Sequence, residues 1–449
     1  MKKLILNYSP LWFQNILISI YNTYQYKIRH AGSYNEKLNF YSNLGRLEYS
    51  VIEELQSKKL KEFLIFAKKK SIWYKDIDST MELSSLPIIS KKDIINHFDA
   101  IKTIPEKAGL LSLTGGTTGA SMKVIYTKAD MQERFAILDA FRYSYGYKLG
   151  KKVAWFSGKS LVSKKDLSKG VCYKEDWFNK IRFFSTFHIT EEYFDAYWSA
   201  LLDFSPEYLV GFPSSVFDIC SIAKERGLKY TGNIKVFFPT AETVLSMHRD
   251  LIAEVLGCIL VDQYASAEGA PFILECKYGV KHIHPLTGIF EVVDENMQPA
   301  DSGELLVTSF TTHGTPLIRY KIGDRITLSK TSLTCQCGSE FPIVTSIDGR
   351  SSDYILSPEN GKVNLGNLSN ATKDILGLIC FQLIQNVMGS VIVNVVTNTT
   401  FDNKQEANFI KALKVRLGGS MLIELNKVEG ISNEKSGKFR IVKNNLKHQ

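Results

Sequence analysis

The sequence predicts an α/β protein of two domains. A large α/β domain spans residues 1–350, helical over its first 75, and a small α+β domain spans 351–449. Three observations carry this reading. From residue 108 to about 310, apolar runs rich in β-branched and aromatic residues ("KVAWFS", "YLVGF", "IKVFFPT", "CILVDQYAS", "GELLVTSF") alternate with helical patterns such as 191–203 and 244–256. That alternation predicts largely parallel strands, with ligands gathering at the strand ends. "IDGRSSDYILSPENGKV" then breaks the pattern with polar and turn residues. Beyond it lie a strand-like "SVIVNVVTN", a helix-like "KQEANFIKALKVRL" stopped by Gly418 and Gly419, and a second strand-like "MLIELNKV".

Taken in order, the chain opens on "MKKLILNYSPLWFQNILISIYNTYQYKIR". Two Lys before an apolar stretch imitate a secretion signal, but Asn7, Ser9, Pro10, Gln14 and Asn15 interrupt it. The same residues make it too broken to span a bilayer. Ser9–Pro10 reads as a helix start, with Trp12, Phe13, Ile16, Leu17, Ile20 and Tyr21 along one face. That face is expected to pack in the core of a cytoplasmic protein. The alternative is an interfacial helix over residues 10–29, with Lys27 and Arg29 at its end, making a peripheral contact at the inner membrane face. Leu55, Leu60, Phe63, Leu64 and Phe66 follow at near-helical spacing, and in "LPIISKKDI" Ser90 is placed to cap a helix beginning at Lys91.

Composition narrows the function classes. A hydrophobic content of 44% with 12% aromatic residues fits a packed enzyme and excludes a disordered chain. The excess of 55 basic over 46 acidic residues, +9, is spread along the chain. It suits an anionic cofactor or a membrane surface, and no nucleic-acid-binding motif accompanies it. Seven Cys, an odd number in so long a chain, argue against a disulfide framework and for a reducing compartment. Cys172, Cys220, Cys258 and Cys380 sit in apolar or mixed sequence and read as packing residues.

The loop "LSLTGGTTGASMK", Leu111 to Lys123, combines glycines that allow close backbone approach with hydroxyls and a terminal cation. Its backbone N–H groups would converge on an anion, and a nucleotide phosphate is the expected one. It is not the common phosphate loop, because Ala120 follows Gly119 where that motif needs Lys. Four further segments follow in order: "FFPTAETV" (237–244), "DQYASAEG" (262–269), "GTPLIRYKIGDR" (314–325) and "NEKSGKFRIV" (433–442). On this ordered set the chain resembles the adenylate-forming (acyl/aryl-CoA ligase) superfamily. Within it, the likeness is to the phenylacetate–CoA ligase-like branch and its CapK-type members, which are associated with polysaccharide biosynthesis. The resemblance runs over nearly the whole chain.

The resemblance implies an ATP- and Mg²⁺-dependent ligase with a mobile small domain. Thr114, Gly115, Gly116, Thr117, Thr118, Gly119 and Lys123 would hold the β and γ phosphates. Ala241 and Glu242 would lie beside adenine, with Tyr264 on its face. Asp324 would accept from the ribose hydroxyls, Glu268 would bind Mg²⁺, and Arg350 belongs with the nucleotide-binding set. Lys438 would enter from the small domain and stabilise charge on the α-phosphate and carboxylate. The family's hinge carries two Asp after "GR"; here the text is "GRSSD", with Ser352 at the hinge position and Asp353 the retained acid. A serine can still absorb a backbone rotation.

Strand ends in this fold nominate Phe212, Pro213, Ser214, Phe238 and Ala265 for the acid pocket. Cys335 and Cys337 in "CQCG", with Cys276 and His282 in "ECKYGVKHIH", make a donor set for a structural Zn²⁺, with His284 as a competing ligand. The expected function is adenylation of a small carboxylic acid, followed by acyl transfer to CoA or to an amine on a sugar. The alternative is a non-catalytic nucleotide-binding scaffold of a polysaccharide assembly system.

Overall fold

In the computed structural model the chain is described over residues 9–78, 82–113, 122–157, 162–186, 188–241, 244, 246–266, 268–269, 271–330, 335–349, 354–364, 368, 370–372, 375–397, 399–431 and 442–448. The described residues divide into two units. One lies within 1–112 and 123–348, the other within 113–122 and 349–449.

Helices α1 (Leu11–Arg29), α2 (Tyr34–Ser42) and α3 (Tyr49–Lys70) open the first unit. α3 buries Ile52, Phe63, Leu64 and Ala67, close to the stripe its spacing predicts. α1 forms where expected but faces the other way. Gln14, Asn15 and Ser19 are its buried residues, while Trp12, Phe13, Leu17, Ile20 and Tyr21 are exposed. The reason lies in its neighbour, the edge strand β4 (Tyr173–Asp176), whose outer backbone donors need acceptors. Glu175 N–H donates to Asn15 Oδ1 at 3.1 Å, and Trp177 N–H donates to Ser19 Oγ at 2.9 Å. The polar face of α1 therefore closes the sheet edge, and the expected core packing of its apolar face is overturned.

Strands β1 (Leu110–Leu113) and β2 (Lys123–Tyr126) pair on either side of the Gly/Thr loop. Before them, α4 (Lys91–Asn96) starts on the Ser90 cap: Ser90 Oγ accepts from Asp93 N–H, and Asp93 Oδ2 accepts from Ser90 N–H. After them, α5 (Lys128–Tyr143) starts on the equivalent Thr127–Asp130 box. Then comes a six-stranded sheet containing β3 (Val153–Ser157), β5 (Ile181–Ser185), β6 (Tyr208–Gly211), β7 (Val236–Pro239) and β8 (Ile259–Leu260), in the order β4-β5-β3-β6-β7-β8. All neighbours are parallel except β4 against β5.

As a parallel sheet requires, both faces are covered. Phe156, Phe184, Leu209 and Phe237 pack under α6 (Phe194–Phe204), α7 (Pro213–Glu225) and α8 (Ser246–Leu256). Val153, Tyr208, Val210 and Phe238 pack on the other side, against Tyr147 and Phe141. Cys172, Cys220 and Cys258 are buried packing residues, while the Cys380 side chain lies outside the described residues. Gly211 permits the close approach of β6 to β3, because a Cβ there would meet Phe156 O at 1.9 Å.

Parallel order stops at β8. The next strands are β9 (Gln263–Tyr264), β10 (Ile273–Glu275), β11 (Lys281–Ile283), β12 (Gly288–Val293), β13 (Ser302–Ser309), β14 (Tyr320–Leu328) and β15 (Ile343–Gly349). They form a second sheet, β12-β13-β14-β15-β11-β10-β9, with antiparallel pairing through β12-β13-β14 and through β15-β11-β10-β9. "GELLVTSF" thus belongs to an antiparallel sheet rather than to the parallel one expected. Most links between these strands are too short for crossover helices, so the chain turns back on itself.

In the second unit, β16 (Tyr354–Ser357) pairs with β17 (Gly361–Asn364). A four-stranded sheet, β20-β19-β18-β21, comprises β18 (Leu378–Gln385), β19 (Ser390–Thr397), β20 (Leu422–Lys427) and β21 (Val442–Asn444). Helix α9 (Asn403–Leu417) starts at the Asp402 cap and stops at Gly418, φ 94°. Its Phe409, Leu413 and Leu417 join Phe381, Leu383 and Val393 in a core of their own.

One buried group ties the first unit to pH. His248 on α8 is 6% exposed, its ring centroid 5.2 Å from that of Phe217, and burial pushes its pKa from 6.5 down to about 4. Between those values the unfolded chain holds a proton that the native protein lacks. Stability is therefore complete above the unfolded pKa and declines as pH falls through this window, by at most about 3 kcal/mol. His248→Leu is expected to flatten the melting temperature between neutral pH and pH about 4. Parallel curves for the two proteins would refute the assignment.

Candidate functional site

The segment before α4 is recruited by the second sheet. Ile89 bridges Tyr320 on β14, with Ile89 N–H donating to Arg319 O at 3.2 Å and Lys321 N–H to Ile89 O at 2.9 Å. This attachment sets Lys91, the first residue of α4, in the electrostatic field of Glu268. Burial raises the pKa of the Glu268 carboxyl; the Lys91 charge and a hydrogen bond from Ser266 oppose the rise, and Asp324 adds to it. Tyr126, at the end of β2, is within the same field, and burial pushes its phenol up to about 12. Gly269, φ 84°, lies under the group: a Cβ there would meet Thr312 Cγ2 at 2.4 Å and Tyr126 Oη at 2.8 Å.

Tyr264 joins them by donating from Oη to Asp324 Oδ2 at 2.8 Å. The two residues stand on β9 and β14, four strand steps apart in the sheet order. In a flat sheet that is about 19 Å, so this sheet curls until its β9 edge reaches β14. Tyr264, Glu268 and Asp324, expected together, are brought together. Lys91 and Tyr126 were missing from the sequence-predicted set. "LPIISKKDI" signals only a capped helix, because the pairing of Ile89 with β14 spans more than 200 residues.

The remaining predicted positions fall in three groups. Ala241, exposed at the end of β7, has φ 65°, a conformation that costs about 1 kcal/mol or more for a residue with a Cβ. Thr240 N–H donates to Gly211 O at 2.8 Å and Gln263 Nε2 donates to Pro239 O at 3.2 Å, which ties this turn to β6 and β9. Phe212 and Pro213 form the start of α7 at the end of β6, and Ala265 is exposed just beyond β9. Phe238 is fully buried among Tyr145, Tyr147 and Tyr208, so it belongs to the core between sheet and α5. Lys123 lies at the surface, with Nζ 3.1 Å from Glu106 Oε1. Thr114, Gly115, Gly116, Thr117, Thr118, Gly119, Glu242, Arg350, Ser352, Asp353 and Lys438 lie outside the described residues, as does the side chain of Ser214.

A second constellation is complete. The ligand atoms of Cys276, His282, Cys335 and Cys337 all lie within 4.8 Å of one another. Cys276 Sγ is 3.7 Å from Cys335 Sγ, and Cys337 Sγ is 3.6 Å from His282 Nε2. Tetrahedral zinc with bonds of about 2.3 Å to sulfur and 2.0–2.1 Å to nitrogen sets S···S near 3.8 Å and S···N near 3.6 Å. A disulfide would need about 2.05 Å. His282 Nδ1–H donates to Phe341 O at 3.1 Å, which turns Nε2 toward the thiols, and burial lowers its pKa toward the neutral, ligating form.

Hydrogen bonds in the surroundings fix the backbone beside these residues. Gly279 N–H and Gly338 N–H close turns onto Cys276 O and Cys335 O. Arg249 Nη2 donates to Glu275 Oε2 at 2.8 Å, and Tyr145 Oη donates to Glu275 O at 2.6 Å, anchoring the residue before Cys276. His284, the competing ligand, instead packs its ring between those of Tyr41 and Phe341, in the wall of a cavity of about 510 Å³ beside the cluster.

Comparison with known proteins gives this geometry a frame. Residues 355–445 match the family model described as the CapK C-terminal domain. The chain is 33% identical over 457 aligned positions to Protein CapK of Staphylococcus aureus, covering 99% of each chain. Among solved structures, it is similar to a 2-hydroxyisobutyryl-CoA ligase in complex with 2-HIB-AMP and CoA, with a TM-score of 0.60, 16% identity and coverage of 90% of this chain and 92% of that one. The same ligase in its postadenylation state gives a TM-score of 0.54 at 16% identity, over 88% and 89% of the two chains. The chain belongs to the CapK family and has the fold of the adenylate-forming CoA ligases.

Proposed function

We propose that this protein is an ATP-dependent ligase that adenylates a carboxylic acid and passes the acyl group to an acceptor thiol or amine. One observation carries the reading: the ring-and-carboxylate set of Tyr264, Asp324 and Glu268, with Lys91 beside it, assembled by the curl of the second sheet in this fold. In the first step a carboxylate oxygen bonds to the α-phosphorus and the bond to pyrophosphate breaks, giving acyl-AMP. Tyr264 packs on adenine and Asp324 accepts from the ribose hydroxyls, with Ala241 and Glu242 at the rim. Thr114–Gly119 and Lys123 hold the outer phosphates, which requires Lys123 to leave Glu106. Mg²⁺ neutralises phosphate charge when bound, and Glu268 is the residue that would hold it. The Lys91 charge opposes the rise that burial gives the Glu268 carboxyl, and so favours the ionised form that binds a cation.

Phe212, Pro213, Ser214 and Ala265 line the acid, Arg350 belongs with the nucleotide, and Ser352–Asp353 form the pivot. Acyl transfer from AMP to CoA or to a sugar amine completes the reaction, its product serving a polysaccharide precursor. Zn²⁺ held by Cys276, His282, Cys335 and Cys337 is structural; the sulfur and nitrogen spacing and the oriented His282 support it.

Carboxylate-dependent ATP–pyrophosphate exchange without acceptor tests the first step. Exchange with some member of a panel of aryl, fatty, hydroxy and amino acids is the expected result. Its absence with both the panel and extracts of the producing cell, in protein that binds ATP, would favour the scaffold reading. Asp324→Asn is expected to raise the KM for ATP by roughly one to two orders of magnitude, the worth of charge-assisted hydrogen bonds. The melting temperature should move little, and an unchanged KM would remove Asp324 from the ribose.

A further inference from the structure

We infer that the outward face of α1 binds the surface of an anionic lipid bilayer. Six large side chains on this helix are exposed: Trp12 by 57%, Phe13 by 38%, Leu17 by 36%, Ile20 by 55%, Tyr21 by 58% and Tyr24 by 62%. They share one face. At 3.6 residues per turn Trp12 and Tyr21 stand about 180° apart, with Phe13, Leu17, Ile20 and Tyr24 between them. An ordinary surface helix turns such a face inward. Here the inward face is the polar one, consumed by the edge of the first sheet through Asn15 and Ser19. The turn after β4, 150 residues away in sequence, lies alongside, and adds Trp177 and Phe178, exposed by 43% and 62%.

Charge and side-chain type choose the occupant. The helix contains no acidic residue; of the two cations in its last turn, Lys27 is exposed, while Arg29 turns inward over the Phe135 ring, 4.7 Å from its centroid. Lys180 is exposed in the adjoining turn. The two acids of β4 are already engaged: Glu175 is 3.2 Å from Arg182 Nη2, and Asp176, fully buried, accepts from Asn179. An apolar face margined by Trp and Tyr and bordered by the exposed cations Lys27 and Lys180 fits the headgroup boundary of a bilayer with negative lipids. A second copy is disfavoured, because a two-fold contact through this face would bring the same cations together with no acid to meet them. Among the described residues no helix is long and apolar enough to cross a membrane, so the contact is one of lying on the surface.

The test is flotation of the full-length protein with vesicles of mixed phosphatidylglycerol and phosphatidylcholine, set against vesicles of phosphatidylcholine alone. The protein should float with the mixed vesicles and much less with the neutral ones. Ile20→Asp with Tyr24→Asp should lower partitioning at least about tenfold, and Lys27→Ala and Lys180→Ala about fivefold each. Both aspartates replace residues more than half exposed, so folding should survive, and a melting curve checks it. In the unaltered protein, brominated lipid should quench tryptophan fluorescence, and Trp12→Phe should remove part of that quenching. No flotation, equal flotation of the Asp variant, or a dimer that this variant dissociates would overturn the inference. The readouts need neither ATP nor an acid, so they stand or fall apart from the ligase assignment.

Discussion

Replacing Lys438 by alanine is expected to lower carboxylate-dependent ATP–pyrophosphate exchange by about two orders of magnitude or more while leaving the dissociation constant for ATP nearly unchanged. Adenylation brings an anionic carboxylate onto an anionic phosphate, and charge builds on the five-coordinate α-phosphorus. A lysine that meets this charge mainly in the transition state contributes to the rate and little to ground-state binding. Asp324 is expected to show the opposite split, raising KM first, because the ribose is bound throughout. Exchange rate and ATP affinity measured on the same preparations separate the two roles. Full exchange activity in Lys438→Ala would remove the lysine from the reaction, and a parallel loss of ATP affinity would make it a binding residue.

The second large effect is on the Cys/His cluster. Protein purified without chelator should carry one equivalent of zinc, and Cys335→Ser with Cys337→Ser should lose it. Because the thiolates meet only in the folded chain, metal binding is folding free energy, and its loss should cost on the order of 5 kcal/mol or more. The damage should concentrate where the ligands are anchored: the β10–β11 hairpin, through Cys276 and His282, and the turn leading into β15. Metal analysis together with hydrogen exchange would show both. Metal-free protein that melts as high as the variant's parent would sink the assignment. Adenylation should survive wherever the variant remains folded, since none of these four residues is assigned to the nucleotide or the acid.

The two experiments also separate the readings of the chain. A nucleotide-binding scaffold needs Asp324 and Tyr264 but gains nothing from Lys438. If Lys438→Ala were silent while Asp324→Asn weakened ATP binding, the scaffold would be the better account. A ligase requires both.

Much of this was legible in residue order. The Ser90 cap, the glycine that stops α9 and the alternation through β3–β7 are local patterns, and local physics reads them from a few neighbouring residues. The proposed nucleotide motifs could be nominated for a related reason, since each is a short stretch whose residue types suit one task. Cys276, His282, Cys335 and Cys337 could be nominated as donors, but only the pairing of β11 with β15 brings the two pairs together and sets His284 aside. Lys91 comes beside Glu268 only because Ile89 joins β14. Phe238, identical in type to a pocket residue, is placed in the core by the sheet face it happens to occupy. The direction of α1 is the clearest case. Its composition determined that it would be amphipathic, but which face turns inward depended on what the neighbouring surface lacked. That surface is a sheet edge with unsatisfied N–H groups, so the polar face was taken and the apolar one left outside.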